Sequence, residues 1–187
     1  MKNNPGPDSK EAITTASVVA SGSLAVLKLL VGGLSGSLGI LAEAAHSLLD
    51  LISTLITLLV VRVAAVPPDS NHPYGHERAE QLGALAGMTL LGGTGALILY
   101  HAFDTIFFHP AAPAVSLWAF AVVIVSLVVD FFRVRALRKA AASHASSALA
   151  SDAEHFANDM LGAISVLIGL AVIALRHPLH LDRKSVV

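Results

Sequence analysis

Residues 37–66 read SLGILAEAAHSLLDLISTLITLLVVRVAAV. The run is apolar almost throughout and longer than the roughly 20 residues a helix needs to cross a bilayer core. A helix of that length tilts or projects from the membrane. Glu43, His46 and Asp50 interrupt its first half. Offsets of three and seven residues place all three on one helical face. On insertion scales an Asp at such a position costs about 2.5–3.5 kcal/mol, so these groups require partners from elsewhere in the chain.

The partner pattern lies downstream. Residues 152–159 read DAEHFAND, so Asp152, His155 and Asp159 repeat the same spacing of acid, imidazole and carboxylate inside a second apolar run. If the two runs are packed helices, His46, Asp50, His155 and Asp159 converge. Two neutral imidazoles and two carboxylates carry a charge that cancels a divalent cation, and nitrogen and oxygen donors at roughly 2.0–2.2 Å suit four-coordinate zinc. Facing helices supply metal sites in bundles in this way. The plain alternative is that each His/Asp pair is a hydrogen bond between helices. The upstream acids Glu43 and Asp152 read as second-layer partners of the imidazoles or as hydrated groups nearer an interface.

Composition agrees with a membrane setting. The chain has 187 residues, 55% hydrophobic and 13% charged, with mean hydropathy +0.71. A soluble domain carries about 25% charged residues. The net charge of -1 gives no electrostatic pull toward nucleic acid, and none is expected as a partner. There is no cysteine, so disulfides and thiolate metal sites are excluded.

The fold class expected is an all-α transmembrane bundle with five spans, at about 13–34, 37–66, 81–103, 115–138 and 147–175. A polar arm, 1–11, precedes them, the transmembrane domain occupies 12–176, and a short tail, 177–187, follows. Lys28 interrupts the first span and either snorkels to the interface or pairs with an acid. Gly32, Gly33, Ser35 and Gly36 predict a tight turn, and Pro67-Pro68 ends the second helix. Gly83 and Gly87 in the third span form a small-xxx-small pair for close helix approach. Asp130 and Arg133 read as an i,i+3 ion pair at the membrane edge, and Trp118 as an interface anchor. A Ser/Ala/His link over 140–151 precedes the fifth span. His101, His109, His177 and His180 lie at or beyond span ends and are expected to be solvated.

Lys and Arg fall in the N-terminal arm, around the loop after span two, and after span four, at Arg133, Arg135, Arg138 and Lys139. The intervening turn and loop hold none. This places the N-terminus in the cytoplasm of a multi-pass protein. With five spans, Arg176, Arg183 and Lys184 fall on the outer side against that rule, which predicts a missing segment after span five. The loop at 69–80, DSNHPYGHERAE, is the most polar stretch, and Asp69, His72 and His76 form a second candidate metal site there. Pro73 and Gly75 oppose a helix, so the ligands would converge through a turn; the plain alternative is a hydrated loop.

HSLLD at 46–50, HPYGHERAE at 72–80 and SDAEHFAND at 151–159 resemble the cation diffusion facilitator family of divalent-metal/proton antiporters, over about residues 14–182. The resemblance implies that His46, Asp50, His155 and Asp159 form an intramembrane transport site. It also implies that a His at both leading positions favours zinc, and that Asp69, His72 and His76 match the family's loop site. It implies a homodimer in a bilayer, with metal ions and protons as ligands, at a bacterial inner (plasma) membrane. The family pattern continues into a sixth helix and a cytoplasmic metal-sensing α/β domain, so this chain is expected to be truncated, frame-shifted or a fragment.

The function expected is export of divalent metal cations, Zn²⁺ foremost, from the cytoplasm in exchange for protons. The alternative is a truncated, metal-binding but transport-incompetent membrane subunit. An intramembrane zinc hydrolase would need an open coordination position and a placed general base. HExxH is missing and Glu154 faces away from His155, so no enzyme activity is expected.

Overall fold

A computed structural model describes residues 9–108 and 117–176. Within them the chain forms five helices: α1 (Lys10–Ser35), α2 (Leu38–Ala64), α3 (Ala79–Phe107), α4 (Leu117–His144) and α5 (Ser147–Arg176). Lys10–Ser35, Gly39–Ala64 and Leu117–His144 are each long and apolar enough to cross a membrane. The architecture is an all-α membrane bundle. Its outer surface is apolar, with Val19, Leu30, Leu59, Leu82, Leu99 and Phe132 all exposed, as suits contact with lipid tails, which are as apolar as leucine.

Short caps set the helix ends. The Ser9 hydroxyl accepts from the Ala12 amide, opening α1 at Lys10, inside the stretch read from sequence as a polar arm. Gly36, at φ 63°, closes α1 in the left-handed region, and Ser37 caps α2 immediately afterwards. The link expected over 140–151 is almost wholly helical. Only Ala145, at φ 48°, and Ser146 separate α4 from α5, and the Ser146 hydroxyl accepts from the Leu149 amide. Alanine is the strongest helix former, so a Ser/Ala run continues a helix rather than interrupting it.

The helices pack through small and hydroxylated residues. Thr14, Ser17, Ser21, Ser47, Ser53 and Thr54 are buried on α1 and α2, and the Ser21 and Thr54 hydroxyls lie 3.4 Å apart. Gly83 lets α3 approach α2, where an added Cβ would meet Val60 at 2.6 Å. Gly87 faces α5 instead, where an added Cβ would meet Ser151 Oγ at 3.0 Å. The pair therefore serves two neighbours, not one. An apolar plug of Val61, Val134, Leu137, Leu149, Ala153 and Phe156 fills the half of the bundle nearer the α2–α3 loop. The expectations for residues 1–8, for His109, and for the tail with His177 and His180 lie outside the described residues, as does the side chain of His101.

Candidate metal centre

α2 and α5 cross with their acid-imidazole-carboxylate faces toward each other. His46 Nε2 lies 3.8 Å from Asp50 Oδ1 and 3.5 Å from Asp159 Oδ1. His155 Nε2 lies 3.2 Å from Asp50 Oδ1 and 3.4 Å from Asp159 Oδ2. The four side chains thus close a ring in which imidazole and carboxylate alternate. The ligand atoms of His46, Asp50 and Asp159 all lie within 4.8 Å of one another; His155 completes the ring through the two carboxylates and stands outside that tighter group. Side-chain exposure falls around the ring from 29% at His46 to 6% at His155, so the ring is approached from the His46 side.

That approach is a cavity of about 610 Å³ running from the ring toward the α1–α2 turn. Ser21, Lys28, Glu43, Asp130, Arg133 and Asn158 line it together with His46, Asp50 and Asp159. On the other side of the ring stands the apolar plug, with Phe156 edge-on to His155 at 5.1 Å between ring centroids. A larger cavity of about 990 Å³ lies beyond the plug, among the ends of α1 and α2 and the loop that carries His76.

The upstream acids divide. Glu43 accepts from Lys28 at 3.2 Å, and Lys28 is buried, so it pairs with an acid instead of snorkelling. Asp152 is buried against Thr57 at 3.5 Å and so is not a hydrated interface group. Its Oδ2 and His155 Nδ1 are both enclosed without a hydrogen-bond partner.

Asp130 and Arg133 correct the sequence reading most. Their side chains are 3.3 Å apart, as the i,i+3 spacing predicts, but the pair is deep in the bundle rather than at a membrane edge. Arg133 is buried. It donates to the Ser17 carbonyl at 3.2 Å, and its guanidinium carbon lies 4.0 Å from the Phe156 ring centroid. The signal was the rule that ionisable residues within spans mark functional interiors. It applied to Asp130 as much as to His46.

The loop group assembles as a turn. Asp69 Oδ1 accepts from the amides of His72 (2.6 Å) and Asn71 (2.9 Å) and lies 3.3 Å from His72 Nδ1. His76 Nε2 lies 3.6 Å from Asp69 Oδ2, and the two imidazole centroids are 4.4 Å apart. Gly75, at φ 82°, provides the reversal that returns His76 to the turn. The His72 amide, aided by that of Asn71, holds the Asp69 carboxyl below the usual carboxylate range.

A helical membrane bundle with a ring of two imidazoles and two carboxylates, reached by a cavity that Lys28, Glu43, Asp130 and Arg133 help to line, has the parts of a membrane cation-handling protein. A family model for the cation efflux transmembrane domain matches residues 14–183, and the chain belongs to that family. Metal tolerance protein C1 of Arabidopsis thaliana is 32% identical over 180 residues, covering 89% of this chain and 38% of the relative. The cation-efflux pump FieF of Pectobacterium atrosepticum is 31% identical, over 89% of this chain and 56% of the pump. FieF of Yersinia enterocolitica is 34% identical, over 87% of this chain and 54% of the pump. The chain thus spans about half the length of these pumps, and less of the plant protein.

Proposed function

We propose that this chain is the membrane part of a secondary transporter that exports divalent metal cations, Zn²⁺ foremost, from the cytoplasm in exchange for protons. The observation that carries the reading is the alternating ring of His46, Asp50, His155 and Asp159 at the end of a cavity that Lys28, Glu43, Asp130 and Arg133 help to line. With neutral imidazoles, two carboxylates match the charge of the ion, and nitrogen and oxygen donors suit zinc among divalent metals. Both Nε2 atoms face carboxylate oxygens across 3.2–3.8 Å, a spacing that a bridging proton or a bound cation would each relieve. Metal and protons therefore compete for one set of atoms, the minimal requirement for exchange.

The loop group of Asp69, His72 and His76 is proposed as a second metal site, held by a turn rather than by the bundle. Basic residues flanking the N-terminus and the 69–80 loop support a cytoplasmic position for that end in an inner (plasma) membrane. The five helices are proposed as five spans, and a homodimer as the assembly.

The test is zinc flux into liposomes containing an internal zinc-sensitive dye, driven by a proton gradient. The parent chain should show flux, and Asp50→Ala/Asp159→Ala should abolish it. Full flux in the double variant would remove the ring from the mechanism. Zinc binding without flux in the parent is the result expected of a metal-binding, transport-incompetent subunit.

A further inference from the structure

The charged groups around the ring cavity fall into two compensated pairs and one uncompensated set. Asp130 and Arg133 lie 3.3 Å apart at its depth, and Lys28 and Glu43 lie 3.2 Å apart nearer the α1–α2 turn. Each pair sums to zero. What remains is the ring, with its two carboxylates. Charges that share a cavity walled by apolar helices are felt across several ångströms, far more than in open water. A lysine in a membrane span ordinarily reaches outward to the interface. Lys28 instead is turned inward, with its side chain only 6% exposed, while Glu43 is half-exposed and sits one helical turn from His46 on the same face of α2.

We propose that Lys28 and Glu43 form a charge-balancing pair that sets how tightly the ring holds its cation. Lys28 is a tethered positive charge in the space the ion crosses, and Glu43 masks it. The pair positions charge and does not ligate the ion. This inference rests on the ring being the metal site. It makes a demand that a purely structural ion pair does not: removing the two halves should move affinity in opposite directions. Lys28→Met exposes an unmasked Glu43 carboxylate beside His46 and should tighten zinc binding roughly tenfold. Glu43→Gln unmasks the ammonium and should weaken it by a comparable factor. Lys28→Met/Glu43→Gln restores neutrality and should return to near the parent value, and Lys28→Arg should match the parent.

The measurement is zinc affinity of the purified chain in detergent, by competition with a chromophoric chelator. All variants carry His72→Ala/His76→Ala so that the loop does not contribute. Opposite shifts that cancel in the double variant establish the pair. Affinity unchanged in Lys28→Met, or shifted the same way in both single variants, overturns it. If Glu43→Gln fails to fold, the contrast of Lys28→Met with Lys28→Arg decides: equal affinities overturn the proposal. Asp159→Asn separates the two readings. Zinc binding that ignores Asp159→Asn removes the ring and this pair together, whereas binding that responds to Asp159→Asn but not to Lys28→Met removes the pair alone.

Discussion

At the scale of single residues, Asp69 organises a short polar turn. Amides of His72 and Asn71 converge on one carboxylate oxygen and keep the group ionised below the ordinary range for Asp, about pH 4. The sign follows from the depressed value. The amide bonds favour the turn at all pH above the ordinary carboxylate value, and that preference is lost only as pH falls through the lowered one. Metal ligands bind in their deprotonated form, so acidification releases metal from a site built of Asp69, His72 and His76. In a chain carrying Asp50→Asn/Asp159→Asn, zinc retained by the loop should be gone by about pH 4; retention below that would assign the binding to carboxylates alone. That Asp69, His72 and His76 would meet only through a turn was legible from Pro73 and Gly75 between them. The depth of Arg133 was not, because an i,i+3 pair has the same spacing on a wet helix end as in an interior. Only the arrival of Ser17 and Phe156 from α1 and α5 distinguishes them.

At the scale of elements, glycines on one helix have unequal weight. A methyl group on Gly83 would stand 2.6 Å from Val60 Cγ1 and 2.7 Å from Cγ2, and valine has little rotamer freedom in a helix. Gly83→Ala should therefore push α3 off α2 at a cost of about 1–3 kcal/mol, read as a lowered unfolding temperature in detergent. Gly92 and Gly93 meet nothing within 4 Å, so alanine there should be neutral or stabilising by up to about 1 kcal/mol. A Gly92→Ala loss as large as that of Gly83→Ala would mean that this face of α3 is packed in the assembled protein. The glycines themselves were visible in the sequence, as were the long apolar runs that became helices. Which neighbour each glycine touches depends on tertiary crossing and is not encoded in spacing. The extension of α4 through His144 was missed for a local reason: serine and histidine among alanines resemble a linker in composition while the alanines favour helix.

At the scale of the whole molecule, the ring is open on one side and blocked on the other. Ala163 lines the cavity, while Ala153 belongs to the plug. The chain has no cysteine, so a single introduced thiol reports its own environment. Ala163→Cys should react with a membrane-impermeant thiol reagent and be protected by zinc, whereas Ala153→Cys should stay unreactive. Equal labelling of both would place water on both sides of the ring at once, incompatible with a plugged bundle. The repeated acid-His-Asp spacing foretold that α2 and α5 face each other. It carried no information on which side of the ring is sealed, because that depends on Val61, Leu137, Leu149 and Phe156, contributed by three different helices.

The ring also has a history within each chain's synthesis. His155 and Asp50 meet across 105 positions of sequence. Closing so long a loop carries an entropic cost that local helix formation does not recover. While the ribosome is still making α3 and α4, the nascent protein can present only His46 and Asp50, a weak half-claw. The complete ring must wait until α5 has been inserted and has docked. Maturation of the ring is thus a late event in assembly, and a chain stalled before Asp159 should emerge from the insertion machinery with the four-residue ring still unformed.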